Sequence, residues 1–339
     1  MKKVIALSLI MVLICASAIF ATGAAQPSGK ERHVMVSKST GNPYFERMFA
    51  GFKEAVESQG FEAIHRAPDQ PTVEAQIQVI DQLIAQRVTS ICVAANDFDA
   101  LQPVLTKAMN AGIKVTSADS AVNPRSRATH VNQAGIQAIG ETLVEAAFDL
   151  AKGSGEIAIL SATSQASNQN AWIAVMQEVL KQSKYSGLNL VRIAYGDDLR
   201  DKSTTETQGL LASFPNLKVI VAPTTVGVAA AAKVVADQGL TGKVMITGLG
   251  LPSEMADYII NGSCPYMFLW NPSDLGYVSA FTGMALAKGT ITGKVGDGFG
   301  AGKLGQYKVT SAADGGTEVL LGPPFKFDPA NINDWKNVY

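Results

Sequence analysis

The sequence predicts an α/β protein of two doubly wound parallel-sheet lobes, joined by a hinge that the chain crosses several times. Three observations carry that expectation. The chain has 339 residues, too many for one typical core and suited to two domains of average size. Short β-rich runs alternate with helical stretches, the pattern of parallel strands with helices on both faces. The second half also echoes the first. Ile91–Ala95, a polar turn, a helix, Ala111-Gly112 and Lys114-Val115 are matched by Val219–Ala222, a polar turn, a helix, Gln238-Gly239 and Lys243-Val244. Two sheets of one topology are the economical reading.

The first array opens with a strand at His33–Lys38 and a helix at Pro43–Gln59, with Phe45, Met48, Phe49, Phe52 and Val56 on one face. Phe61–Arg66 reads as a strand, and Val73–Gln86 as a helix with Ile77, Ile80 and Ile84 at helical spacing. Ser90–Ala95 is a strand, Ala100–Asn110 a helix stopped by Gly112, and Ile113–Ala118 a strand.

The second array begins with the helix Ile136–Leu150 and runs through the strand Glu156–Leu160, the helix Asn170–Gln182 and the strand Leu188–Tyr195. It continues with the helix Thr204–Ser213, the strand Lys218–Ala222, the helix Gly227–Asp237 and the strand Lys243–Thr247. The alternation then carries on through a helix at Ser253–Asn261, a strand at Pro265–Trp270 and a helix at Leu275–Ala287. The remaining tail is rich in Gly and Pro, too irregular for a third domain, and is expected to cross back between the lobes. Crossings are expected near Asn132, Trp270 and Gly300. They give a first lobe of residues 32–131 plus 272–300, and a second of 132–271 plus 301–339.

Residues 1–25 do not read as part of the fold. Lys2-Lys3, an apolar run from Val4 to Phe20, and the small-residue stretch Ala21–Ala25 follow the order of a signal peptide, so export to the periplasm is expected. A retained membrane anchor is the alternative. Cys15 follows the bulky Ile14, which argues against a lipoprotein site.

Charge and composition narrow the function. With 47% hydrophobic and 17% charged residues, the chain is an ordinary packed protein rather than a disordered one. Its 28 Lys+Arg nearly cancel its 29 Asp+Glu, and the charges are interspersed. A nucleic-acid or anionic-membrane partner, which needs a basic face, is not expected. Past the leader, Cys92 sits in an apolar run and Cys264 precedes Pro265; both read as buried and unpaired. His33, His65 and His130 are isolated from one another and from both cysteines, so no metal site is called for, and no cofactor.

In open parallel sheets, ligands bind beyond the carboxyl ends of the strands. There the sequence places Lys38, Asn96-Asp97, Asp119-Ser120, Ser164, Asn168-Gln169, Pro223-Thr224-Thr225, Gly248-Leu249-Gly250 and Trp270-Asn271. Amides, hydroxyls, carboxylates, an ammonium and an indole suit a polyol such as a sugar, whose hydroxyls both donate and accept. Trp270, Tyr44 or Phe45 would supply an aromatic platform for the ring's apolar face. Each residue has a plainer role open to it. Asp97 and Thr225 suit helix caps, Asp119 a turn, and Lys38 a solvated loop. Asn168 and Gln169 suit helix-start amides, and Trp270 hinge packing. A secreted sugar-modifying enzyme with Asp97 and Asp119 as an acid–base pair is the catalytic alternative. No nucleophile elbow, P-loop or zinc-ligand pair accompanies it, and Gly296-Asp297-Gly298-Phe299-Gly300 lacks the strand and helix of a dinucleotide fingerprint.

Longer strings carry a family resemblance. Lys218–Gly227, Ile159–Ala162 with Asn168–Trp172, Phe268–Pro272 with Asp274–Tyr277, Gly302–Gly305 and Leu320–Pro324 resemble the periplasmic rhamnose-binding proteins of ABC importers, across essentially the whole mature chain. The resemblance implies a type-I periplasmic-binding-protein fold, L-rhamnose as ligand, closure of the lobes on it, and a membrane permease with its ATPase as partner. A monomer is expected. The same family holds the binding proteins for the signal autoinducer-2, whose ligand residues are a lysine, two aspartates, a glutamine, a proline and an alanine. Lys38, Asp119, Gln169 and Pro223 match that set. Asn168 stands where the second aspartate is expected and Thr225 where the alanine is, which favours rhamnose.

Overall fold

The structure, a computed structural model, describes residues 30–339, so the expected leader and Cys15 lie outside the described residues. The first half carries β1 (Arg32–Val36), α1 (Pro43–Ser58), β2 (Glu62–Arg66), α2 (Val73–Ala85), β3 (Ser90–Val93), α3 (Gln102–Asn110), β4 (Lys114–Ala118) and β5 (His130–Asn132). Its strands run parallel in the order β5-β4-β3-β1-β2. β3 is buried along its whole length because both faces of the sheet are covered. Cys92 packs toward Phe45, Met48 and Phe52, while Ile91 and Val93 pack toward Ile80, Leu83 and Leu105.

The second half carries α4 (Ile136–Leu150), β6 (Gly155–Ser161), α5 (Ser167–Leu180), β7 (Leu188–Tyr195), α6 (Arg200–Ser213), β8 (Leu217–Ala222), α7 (Thr225–Asp237), β9 (Met245–Gly248), α8 (Pro252–Ile260) and β10 (Met267–Leu269). A second parallel sheet has the order β7-β6-β8-β9. β10 lies alongside through a parallel bridge between Leu249 and Phe268.

α9 (Pro272–Ala287) returns to the first half and packs lengthwise on α1. Glycines let the two backbones touch. A Cβ on Gly51 would stand 1.8 Å from the Ser273 carbonyl oxygen, and one on Gly276 1.8 Å from that of Met48. Both helices start on an asparagine cap followed by proline: Asn42 Oδ1 accepts from Tyr44 N, and Asn271 Oδ1 from Ser273 N.

The tail corrects one expected crossing. β11 (Gly298–Gly300) and β12 (Gln306–Lys308) form a hairpin rather than a passage between lobes. β13 (Thr310–Ser311) and β14 (Thr317–Leu320) then extend the first sheet, β14 pairing parallel with β5. Residues 310–320, expected in the second lobe, thus belong to the first sheet, because β5 offers a free edge for them. The chain leaves after Leu321, whose N–H donates to the Asn132 carbonyl at 2.8 Å, and β15 (Phe325–Phe327) pairs with β10. α10 (Ile332–Trp335) follows, and the Tyr339 carbonyl accepts from Ser253 N at the start of α8.

Cys92 and Cys264 are free and buried. Burial pushes the Cys92 thiol up to about 11, so it stays protonated at neutral pH. Among the described residues no helix is long and apolar enough to cross a membrane.

Candidate ligand-binding site

The carboxyl ends of strands from both sheets face one cleft. β1 leads into Lys38 and β4 into Asp119, which adopts the left-handed backbone (φ 62°) that an aspartate tolerates better than most residues. On the facing side the first turn of α5 presents Asn168 and Gln169; the helix starts three residues earlier than the sequence pattern suggests, so they are helical rather than loop residues. β8 ends in Pro223-Thr224, and Thr225 opens α7. Trp270 follows β10, and Tyr44 and Phe45 lie in the first turn of α1.

The side chains meet across the cleft. Lys38 Nζ donates to Asn168 Oδ1 at 3.1 Å and to Gln169 Oε1 at 3.4 Å, and stands 3.8 Å from Asp119 Oδ2. Asn168 Nδ2 donates to the same carboxylate at 3.3 Å. Both side chains are buried, 6% and 7% exposed, where a polar group is costly unless it is hydrogen-bonded or paired. Burial raises the Asp119 pKa; the Lys38 ammonium and hydrogen bonds from Tyr44 and Asn168 oppose that rise. Burial and the neighbouring Asp119 charge hold the Tyr44 phenol well above its ordinary range, so it remains a donor. Its oxygen in turn accepts from Trp270 Nε1 at 2.8 Å. The Trp270 ring meets Tyr44 edge-on and lies 5.9 Å from Trp172, centroid to centroid.

The space left among Lys38, Tyr44, Phe45, Asp119, Gln169, Pro223, Thr225 and Trp270 is about 30 Å³, room for a water or two rather than a pyranose. A polyol must therefore part the two halves and exchange these contacts for its own. One hydroxyl between Lys38 Nζ and Asp119 Oδ2 would accept from the first and donate to the second.

Two sequence expectations need revision. Asp97 does not line the cleft: its Oδ1 accepts from Asp99 N at 2.8 Å and Ala100 N at 2.7 Å, closing the turn before α3. It therefore forms no acid–base pair with Asp119. The strand-end inventory also omits the end of β7, where Asp198 enters the cleft wall and accepts a hydrogen bond from Thr224 Oγ1. Gly196-Asp197-Asp198 after an eight-residue strand is the signal that marks it. Asn42, Trp172, Thr224, Leu249 and Leu269 complete the wall.

A family model described as a periplasmic binding protein domain matches residues 33–291. The chain belongs to the periplasmic binding protein family. Periplasmic binding proteins capture solutes rather than transform them, and the facing strand ends fit that task. One solved relative is an ABC transporter solute-binding protein from Clostridium phytofermentas with bound L-rhamnose; it is 50% identical, with a TM-score of 0.90 over 92% of this chain and 99% of that one. LsrB from Clostridium saccharobutylicum, in complex with AI-2, shares the fold at 23% identity and a TM-score of 0.85, over 90% of this chain and 99% of that one. The D-ribose/D-allose-binding protein of Pseudomonas aeruginosa is 26% identical over 236 residues, 66% of this chain and 72% of that protein.

Proposed function

We propose that this periplasmic binding protein is exported, captures L-rhamnose between its two lobes as a monomer, and delivers it to the permease and ATPase of an ABC importer. The observation that carries the ligand is the half-identical relative with L-rhamnose bound, whose similarity spans the cleft-forming elements of both halves. The cleft chemistry agrees. Asp119 and Asp198 accept from sugar hydroxyls, Lys38 donates, and Gln169 does both, while Asn168, outside the lining of the space, holds Lys38 and Asp119 in place through its amide. Trp270, Tyr44, Phe45 and Trp172 offer apolar surface to the deoxy face of the ring. Closure of the lobes would bury the sugar and form the surface that a permease reads.

Asn168 and Thr225 weigh against autoinducer-2. Asn168 receives Lys38 on its oxygen and gives its amide to Asp119, a double role that a carboxylate cannot fill. Calorimetric titration with L-rhamnose, D-ribose, D-allose and autoinducer-2, with borate controlled, tests the reading. L-rhamnose should bind tightest. Asn168→Asp with Thr225→Ala should shift preference toward the signal. Tight binding of autoinducer-2 with no response to L-rhamnose would overturn the assignment.

A further inference from the structure

The buried face of α2 carries a residue that an apolar stripe does not call for. Gln76, Ile80 and Leu83 recur at helical spacing as the buried residues of that helix, and Gln76 is 0% exposed. A buried amide is costly unless its groups find partners. Gln76 finds three, all at the ends of β1 and β3. Its Nε2 donates to the Ser37 carbonyl at 3.1 Å and to the Ala94 carbonyl at 2.8 Å, and its Oε1 accepts from Asn96 N at 2.9 Å.

These backbone groups lie where the sheet stops supplying partners. β1 and β3 are neighbours at the point where the strand order reverses, and their last rung is Ala94 N donating to the Val36 carbonyl. In a doubly wound sheet this is the crevice that takes a ligand. Asn96, 3% exposed, completes a clasp around it: its Nδ2 donates to the Lys38 carbonyl at 2.9 Å and to the Thr72 carbonyl, at the cap of α2, at 3.3 Å. The successive carbonyls of Ser37 and Lys38 are thus both held by side-chain amides. From that backbone the Lys38 ammonium reaches Asn168, Gln169 and Asp119. Neither Gln76 nor Asn96 lines the cleft space itself.

We propose that Gln76 and Asn96 are positioning residues for sugar binding: they set affinity through Lys38, by fixing the backbone from which its ammonium meets the ligand. The inference rests on the sugar reading above and deepens it. A hydrogen bond weakens steeply once distance and angle drift, and Lys38 carries its donor on a long flexible stem, so its base must be fixed. An apolar side chain at position 76 would fill similar space yet leave the Ser37 and Ala94 carbonyls and Asn96 N to find partners by shifting the strand ends. Because both residues act through Lys38, losing either weakens binding by less than losing Lys38 itself.

The test is calorimetric titration of L-rhamnose into the mature protein and into Gln76→Met, Asn96→Ala and Lys38→Met, with the first two also combined with the third. Lys38→Met should weaken binding about 10- to 150-fold, and Gln76→Met or Asn96→Ala about 5- to 20-fold. Once Lys38→Met is present, the same two changes should cost less than about twofold, whereas a merely structural role would weaken binding alike in both backgrounds. Ile80→Val, one turn further along the same face, lowers stability without touching the clasp and should leave affinity within about twofold. Gln76→Met and Asn96→Ala break the clasp from different elements, so a folding failure in one leaves the other informative. Equal weakening with and without Lys38, or affinity unchanged by both substitutions, would overturn the positioning role alone. No binding of L-rhamnose by the unmodified protein would overturn the sugar reading and the positioning role with it.

Discussion

Asp97 and Asp119 follow adjacent strands of one sheet, β3 and β4, yet the structure gives them opposite tasks. Asp119 is buried beside Lys38 and Asn168, where a sugar hydroxyl would give it a charge-assisted hydrogen bond. Removing that acceptor by Asp119→Ala forfeits at least one bond to a charged group, about 1.5–3 kcal/mol, or roughly 10- to 150-fold in affinity. Asp97 instead closes a turn through two backbone N–H groups. Asp97→Ala should leave affinity unchanged and cost about 0.5–2 kcal/mol of stability, as lost caps do. Titration calorimetry with L-rhamnose and thermal melts of both variants read the two effects separately. Because burial raises the Asp119 pKa, binding by the parent protein should also begin to fail above the ordinary aspartate value of about 3.9 as pH falls. Binding by Asp119→Ala within about twofold of the parent, or loss of binding in Asp97→Ala, would refute the reasoning.

Two further outcomes follow from packing and burial. Gly276→Ala places a methyl against the Met48 carbonyl and should destabilise by about 1–3 kcal/mol, whereas Gly209→Ala, in α6 with nothing within 4 Å, should stabilise by about 0.5–1 kcal/mol; urea denaturation would show equal shifts if the helix contact were unimportant. His130 is held neutral in the fold, with a pKa near 3, while the unfolded chain takes up a proton near pH 6.5. Stability should therefore be fully present above about pH 6.5 and fall toward pH 3 at about 1.4 kcal/mol per unit from this group. Denaturation curves at several pH values should show a flatter dependence in His130→Gln, and an unchanged slope would contradict the assignment.

The sequence by itself determined the wound α/β class, the two arrays and most of the cleft. Periodicity marks amphipathic helices such as α1, continuous apolar runs mark doubly covered strands such as β3, and the chemistry of parallel sheets places function at strand ends. Local rules are enough for such features because they depend on neighbours in the chain. Only tertiary structure decided which strand-end residues converge. Asp119 and Asp97 carry the same side chain in similar positions, and what separates them is that the Asp97 carboxylate finds backbone donors two and three residues on. Likewise Asp198 enters the cleft because β7 brings it beside Thr224, and residues 310–320 join the first sheet because β14 meets the edge of β5. The glycine contact of α1 with α9 joins residues more than 200 positions apart, so no local pattern specifies it. Those outcomes are set by long-range pairing and burial, whose energies depend on partners distant in sequence.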